Sequence, residues 1–250
     1  MGVLAYYLED EGLATVTVAL LRPHVEIIRP PRALWLPFEL GRPFGAPNDT
    51  VFQSKVLRRA LALFERQDGP HILEDFDQDA PNSAPDPDWR CAIDTDPPSF
   101  GMRPEDVDPE QLIAAAEAEI SAIEIHHEAA RRKFGRSAVG LTPWTLAENI
   151  AALSGFLRGQ SKASWHPDIS NAVARRFATD DITALYTEAA SAGAGAPNGD
   201  QLTLWFWQRT AAGKLVLAGL AKALAGDDRG AKIVAEKFTL PSRLAPKLGL

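Results

Sequence analysis

The sequence predicts an α/β fold, with a short parallel sheet flanked by helices and followed by a mainly helical C-terminal region. Three short runs of apolar, β-prone residues at 13–20, 33–36 and 71–76 alternate with helical patterns. A stretch dense in proline and aspartate then interrupts the regular patterns. Beyond that stretch, apolar residues recur at helical spacing as far as the C-terminal tail. These observations together place the sheet in the first third of the chain.

The domain boundaries follow the changes in composition. We predict an α/β unit at 1–80, a Pro/Asp-rich linker at 81–106 and a helical region at 107–250. No internal repeat is found in the sequence.

The first helix and strand are predicted from apolar periodicity. Residues 2–11 predict a short helix, which Gly12 ends as a left-handed C-cap. One face of this helix carries Val3, Leu4, Tyr7 and Leu8. The run at 13–20 is apolar almost throughout, which is typical of a parallel strand covered on both faces. Three prolines in the next stretch, 22–31, predict an irregular connection.

The second strand runs into a stiff loop and then a helix. The sequence at 33–49 is ALWLPFELGRPFGAPND, in which the apolar strand meets three prolines and two glycines. A helix begins after a cap at Asn48, Asp49 or Thr50, and Thr50 with Gln53 fits a capping box. The run HILEDF at 71–76 predicts the third strand.

The remaining elements are predicted to be helices. Asp108 and Pro109 open a helix that extends to about Lys133, and Thr142 with Pro143 opens another. Residues 168–191 predict one broken or two short helices, since the apolar spacing changes phase within them. Asp200 is expected to cap a long helix, and a short helix follows it.

Composition excludes several classes of protein. The chain has 250 residues, 46% of them hydrophobic, and a formal charge of −7. An acidic chain with no basic stripe argues against a nucleic-acid-binding protein. No apolar run is long enough to span a membrane and no signal peptide is seen, so a cytoplasmic protein is expected. One cysteine excludes an internal disulfide or a multi-cysteine metal site within this chain.

The loop after the second strand is the first candidate site. Ligands of open α/β sheets collect at the carboxyl ends of strands. Here the loop offers Gly41, Arg42, Gly45 and Asn48 as substrate-binding candidates. An arginine can bind a carboxylate, and glycines allow the backbone to approach a ligand. The alternative is that the loop only fixes the chain path. GRPFG fits neither a Walker nor a dinucleotide fingerprint, so no cofactor is predicted.

Two further candidates are weaker. Glu124 and His127 have the Glu-x-x-His spacing of di-iron bundles, but the sequence has no second such motif. A hydrogen-bonded histidine at the core edge is therefore the favoured interpretation. A catalytic role for Cys91 is not favoured, since it stands in the linker with no cysteine partner. Trp205, Phe206 and Trp207 are interpreted as bundle core plus one exposed indole that contacts a protein partner or a second copy.

The first 80 residues resemble the selenoprotein B family, the catalytic subunits of glycine, sarcosine, betaine and D-proline reductases. The resemblance rests on the pieces GLATV, LGRPFGAPND, LRRALALFE and LEDF. It implies thiol- or selenol-dependent reductive cleavage of a carbon–nitrogen bond alpha to a carboxylate, with electrons from dithiols. It also implies that loop 38–49 lies beside a small carboxylate-bearing substrate.

The sequence departs from this family at the catalytic position itself. The family's reactive cysteine or selenocysteine stands just before the helix equivalent to GVLAYYLEDE, where this sequence begins. Two interpretations stay open: the chain is incomplete at its N-terminus, or it has lost the redox centre and keeps the scaffold. The first leads to a reductase-like protein, and the second to a non-catalytic binding or assembly subunit.

Overall fold

The computed structural model divides the chain into two compact units, residues 1–85 and 86–250. It describes residues 2–38, 43–69, 71–81, 83–93, 95, 108–160 and 164–236. The N-terminal unit holds a three-stranded parallel sheet, and the second unit is helical. The predicted fold class is therefore confirmed.

The strands of the α/β unit pair side by side in chain order. Its elements are α1 (Gly2–Asp10), β1 (Thr17–Ala19), α2 (Arg22–Ile28), β2 (Arg32–Trp35), α3 (Thr50–Ala62) with a 3₁₀ turn (Leu63–Glu65), and β3 (Ile72–Asp75). Both pairs of neighbouring strands are parallel. The register aligns Ala19 with Trp35 and Trp35 with Asp75. All three strands therefore end at the same edge.

The sheet is held by side-chain packing against α3. Leu34 of β2 is fully buried, and it belongs to one cluster with Val56 and Ala60 of α3. Just beyond the strand ends, the rings of Phe38, Phe52 and Phe76 lie with centroids 5.6–6.1 Å apart. Strands of three or four residues form few ladder hydrogen bonds, so this apolar cluster supplies most of their stability.

The prediction of an irregular segment at 22–31 is wrong, because α2 forms there. Pro23 stands in the first turn, where its missing N–H costs nothing and its fixed φ suits a helix. The helix ends at Arg29, whose left-handed backbone (φ 53°) directs its N–H to the carbonyl oxygen of Val25 at 2.7 Å. The prolines thus bound a helix and do not prevent one.

The apolar face predicted for α1 is not the face that packs. Val3, Leu4 and Tyr7 are more than half exposed, whereas Ala5 is buried. The helix is fixed by polar contacts at its other side, where the Tyr6 hydroxyl donates to the carbonyl oxygen of Ile28 at 3.1 Å. Periodicity located the helix correctly, but it did not identify its buried face.

The second unit contains the remaining helices of the described chain. They are α4 (Pro109–Phe134), α5 (Leu146–Leu157), α6 (Asn171–Ser191), α7 (Gly199–Arg209), α8 (Ala211–Ala225) and α9 (Arg229–Val234). Tyr186 and Phe206 lie at the centre of their core, both with no exposed surface. Residues 86–93, which fall within the predicted linker, pack against this unit, and Ile93 is buried in its core.

The start of α4 agrees with the sequence, since Asp108 caps it and Pro109 is its first residue. Two other helix starts were predicted wrongly. Thr145, and not Thr142, caps α5 through a full capping box with Glu148. Asn198, and not Asp200, caps the next helix.

The helices at 168–191 and after residue 198 also differ from their predictions. α6 is one continuous helix. It packs against both α4 and α5, so it carries apolar residues on more than one face, and this explains the change of phase in the apolar spacing. The single long helix predicted after Asp200 is two helices, α7 and α8, which break at Thr210. The extended backbone of Thr210 lets its hydroxyl cap α8 by accepting the N–H of Gly213 at 2.9 Å.

Two carboxylates of this unit hold backbone groups in place. Glu119 of α4 accepts the N–H groups of Ala211 and Ala212 at 2.8 and 3.2 Å, and also the Tyr186 hydroxyl at 3.0 Å. Burial raises the pKa of Glu119 in spite of these donors. Asp181, which is 1% exposed, accepts three consecutive N–H groups and a hydroxyl from residues 140–142 at 2.9–3.0 Å.

Among the described residues, no helix is both long enough and apolar enough to cross a lipid bilayer.

We predict that Asp181→Ala lowers the free energy of unfolding by roughly 3 kcal/mol, because it leaves several inward-facing donors without an acceptor. Urea unfolding followed by far-ultraviolet circular dichroism measures this change. The control is Asp227→Ala, an exposed residue of the same unit, which should change the free energy by less than about 0.5 kcal/mol. Equal effects of the two substitutions would show that the Asp181 contacts are not stabilising.

Candidate functional site

The carboxyl edge of the sheet brings together residues from the ends of all three strands. Arg22, which opens α2 after β1, places Nη1 3.1 Å from Oδ1 of Asp75, the last residue of β3. The guanidinium carbon lies 5.5 Å from the ring centroid of Trp35, the last residue of β2. The indole N–H of Trp35 donates to the carbonyl oxygen of Leu20 at 3.3 Å. Parallel pairing is what collects these side chains at one edge.

The charge at this edge is largely compensated. Arg22 also lies near Glu26, with Nε 3.4 Å from Oε1, so it has two carboxylate neighbours. The side chains of Arg22 and Asp75 remain 37% and 48% exposed. A ligand carboxylate at Arg22 would have to compete with both acids. The contacts with Asp75 and Glu26 therefore account for Arg22 without a ligand. A site for an anion at this edge would need a different cation.

The loop candidates fall partly outside the described residues. Gly41 and Arg42 lie in the undescribed segment 39–42. Gly45 is buried with φ 79°, and a Cβ there would lie 2.9 Å from the Phe52 ring. Its glycine is therefore required by close packing as well as by backbone conformation. Asn48 is exposed and has a left-handed backbone, φ 64°, just before the cap of α3.

The described part of the loop is fastened to the start of α3. The side chain of Asp49 accepts the N–H of Phe52 at 3.0 Å, so Asp49 is the cap among the three predicted candidates. Gln53 donates through Nε2 to the carbonyl oxygen of Ala46 at 2.8 Å, which replaces the predicted capping box with Thr50. Within the described residues, the N–H groups of Thr50 and Val51 have no hydrogen-bond acceptor. These two donors lie at the positive end of the α3 dipole.

His127 takes part in a clamp between α4 and α6. Its Nε2 lies 2.9 Å from Oε2 of Glu188 and 3.3 Å from Oγ of Ser137. The Ser137 hydroxyl donates to that same carboxylate oxygen at 2.7 Å. A catalytic triad needs the acid and the serine at opposite ring nitrogens, whereas both lie at Nε2 here. The clamp thus fits the hydrogen-bonded histidine favoured by the sequence.

The structure does not assemble the metal candidate. Glu124 is exposed on α4, while His127 points to Glu188 and Ser137. In the described part of the chain, no group of three or more histidine, cysteine, aspartate or glutamate side chains could hold a metal ion. Glu124 and His127 therefore have no third ligand there.

Cys91 belongs to the helical unit, where it packs against the core. Burial raises the pKa of its thiol, although a hydrogen bond with the backbone of Ile93 acts to lower it. A reactive cysteine needs a lowered pKa and access to solvent. The environment of Cys91 therefore suits a structural side chain and not a nucleophile.

The predicted exposed indole is wrong. Trp205, Phe206 and Trp207 are 8%, 0% and 3% exposed, so all three belong to the core. The indole N–H of Trp207 has no hydrogen-bond partner among the described residues. These rings pack against Tyr186 and against each other, and they offer no surface to a partner.

Sequence reasoning missed Arg22 and Asp75, which are 53 positions apart. The sequence did offer one indication, because each of the two residues lies close to the C-terminal end of a predicted strand. In a parallel sheet such residues meet at one edge.

No protein-family model, curated protein or solved structure matches this chain.

We predict that the Cys91 thiol of the native protein reacts with iodoacetamide at least about tenfold more slowly than in the unfolded chain. The reason is that burial limits both access and the thiolate fraction. Mass spectrometry of samples quenched at intervals, with and without concentrated guanidinium chloride, gives the two rates. Similar rates would show that the thiol is accessible and would reopen a catalytic role.

Proposed function

We propose that the α/β unit is a reductase-like scaffold related to the selenoprotein B family, which binds a small carboxylate-bearing molecule at the carboxyl edge of its sheet. The observation that carries the proposal is the parallel sheet, whose three strands end at one edge, where β2 leads into the loop before α3. This is the edge at which open α/β sheets bind ligands. The quoted sequence pieces of the resemblance fall on α1–β1, the β2–α3 connection, α3 and β3.

In this proposal, the loop and the start of α3 supply the groups that bind the carboxylate. Arg42 supplies the cation, because Arg22 is already compensated by Asp75 and Glu26. The unbonded N–H groups of Thr50 and Val51 supply further donors at a helix N-terminus. Gly45 and Asn48, with φ of 79° and 64°, give the described part of the loop its left-handed turns. Gly41 is assigned to the same set of substrate-binding residues.

The chemistry would be reductive cleavage of a carbon–nitrogen bond alpha to the carboxylate. A dithiol would supply two electrons and two protons and become a disulfide. The alpha carbon would gain a hydrogen in place of the nitrogen, which would take the other proton and leave as an amine. The proposal assigns to this chain the groups that bind the substrate and assigns it no nucleophile, because its one cysteine is Cys91. Dithiol-driven reduction belongs to a reducing compartment, which supports a cytoplasmic location.

A second candidate is a non-catalytic binding or assembly subunit that uses the same scaffold. It is favoured by the exposed apolar residues on α1 and α2, among them Tyr7 and Ile27, which are 66% and 81% exposed. The two helices pack against each other, so these residues lie in one part of the unit. Apolar residues exposed on neighbouring helices are a common feature of protein interfaces.

We predict that Arg42→Ala weakens the binding of glycine, betaine or D-proline by about tenfold or more, because it removes the charged partner of the ligand carboxylate. Isothermal titration calorimetry measures the affinity. The matched control is Arg58→Ala, an exposed arginine on α3, which should leave binding unchanged. Equal affinities for Arg42→Ala and the wild type would leave the loop with a purely structural role.

The assembly candidate predicts that the wild-type protein sediments as a species larger than its 27.1 kDa monomer. Ile27→Lys should shift the sedimentation coefficient toward the monomer, because a charge would be buried at the interface. Val51→Lys is the control, since Val51 is 82% exposed on a different helix. A wild-type monomer, or no shift with Ile27→Lys, would remove this candidate.

A further inference from the structure

A cavity of about 40 Å³, partly open to solvent, lies in the helical unit among α5, α6, α8 and α9. Most of its wall is apolar and includes Leu153, Val216, Leu220 and Ala231. A void needs roughly 10–15 Å³ for each water-sized group, so this one accommodates about three such groups. The cavity therefore matches a short aliphatic chain in size and in polarity.

A guanidinium borders this apolar space. Arg175 of α6 lines the cavity, and its guanidinium carbon lies 4.0 Å from the ring centroid of Phe156 on α5. Stacking on the ring occupies one face of the guanidinium. The N–H groups at its edge remain available, because an arginine carries five donors in the guanidinium plane.

The charge of Arg175 has no direct partner in the described part of the chain. No hydrogen bond from its guanidinium and no carboxylate within 4 Å of it is found there. The adjacent Arg176, by contrast, places Nε 3.4 Å from Oδ2 of Asp180. Asp228 raises the pKa of Arg175 through its charge, but it forms no ion pair with the guanidinium. The Asp228 side chain instead caps α9 by accepting the N–H of Ala231 at 3.1 Å.

The half-buried guanidinium of Arg175 has lost part of its hydration without gaining a carboxylate partner, and a bound anion would offset that loss. Burial lowers the pKa of Arg175, which agrees with its partly desolvated position. Arginine nevertheless remains charged in proteins, so the cost is not relieved by loss of a proton. An anion with a small apolar group would satisfy both the charge and the cavity.

We propose that this cavity binds a short aliphatic monocarboxylate, with Arg175 holding the carboxylate and the apolar wall enclosing a chain of about three carbons. Arginine matches a carboxylate through two parallel N–H···O bonds. Phosphate fits less well, because it brings a larger charge and no apolar group to a site with little polar wall. The site lies wholly in the helical unit and does not depend on the reductase proposal.

Gly219 of α8 offers a way to fill the cavity without disturbing the fold. It lines the cavity, and a Cβ built on it meets no atom within 4 Å. A leucine there would occupy the space and also favour the helix, since glycine is a poor helix former. Gly219→Leu therefore removes the apolar subsite while it leaves Arg175 in place.

The test is titration calorimetry of the full chain with butyrate, acetate, octanoate and inorganic phosphate. We expect butyrate to bind more tightly than the other three. Arg175→Met should weaken butyrate binding by about tenfold or more, because it keeps an apolar stem but removes the charge. Gly219→Leu should have a similar effect, whereas Arg229→Met, at an exposed position of α9, should stay within about twofold of the wild type.

Several outcomes would overturn the proposal. They are a wild-type protein that does not bind butyrate, an Arg175→Met or Gly219→Leu variant that binds it as the wild type does, and tighter binding of phosphate than of butyrate. Circular dichroism confirms that each variant is folded before titration. Arg42→Ala should leave butyrate binding at this cavity unchanged, so a failure here and a failure of the reductase proposal are distinguishable.

Discussion

The α/β unit depends on the parallel alignment of three strands that are each only three or four residues long. Such strands form too few backbone hydrogen bonds to be stable by themselves. Their alignment is maintained by one apolar cluster, in which Leu34 of β2 packs with Val56 and Ala60 of α3. The same alignment brings the strand ends together, so the stability of the sheet and the geometry of its carboxyl edge have one cause.

The helical unit uses buried acids for structure. Glu119 supplies acceptors to the first N–H groups of α8, and Asp181 supplies them to residues 140–142. Each carboxylate replaces backbone partners that a helix end or a tight loop cannot provide for itself. Because these acids are saturated with donors, they are poor candidates for proton transfer. The buried acids of this unit are therefore explained by the backbone groups that they bind, and the described residues give them no catalytic role.

The sequence was sufficient to predict those elements that are determined by a few neighbouring residues. Asp108 with Pro109 predicted the start of α4, and the runs of β-prone residues predicted all three strands. The sequence was insufficient where packing between helices determines the structure. At Thr210 the apolar pattern of the sequence is continuous, but the helix breaks there and the Thr210 hydroxyl caps a new helix. Periodicity likewise placed α1 but chose its exposed face as the buried one, since a pattern shows that a face exists and not what covers it.

The candidate sites were harder to predict, because a site depends on which charges remain uncompensated after folding. The sequence alone does not show which arginine has a carboxylate beside it, Arg22 in the segment LRPHV or Arg175 in the segment VARRF. In the structure, Arg22 has Asp75 and Glu26 beside it, whereas Arg175 has an aromatic ring and an apolar void. A paired arginine gains little from a second anion, while an unpaired and half-buried one gains a partner that the described fold does not supply. The same reasoning disfavours Arg22 as the carboxylate contact that is proposed for the α/β unit.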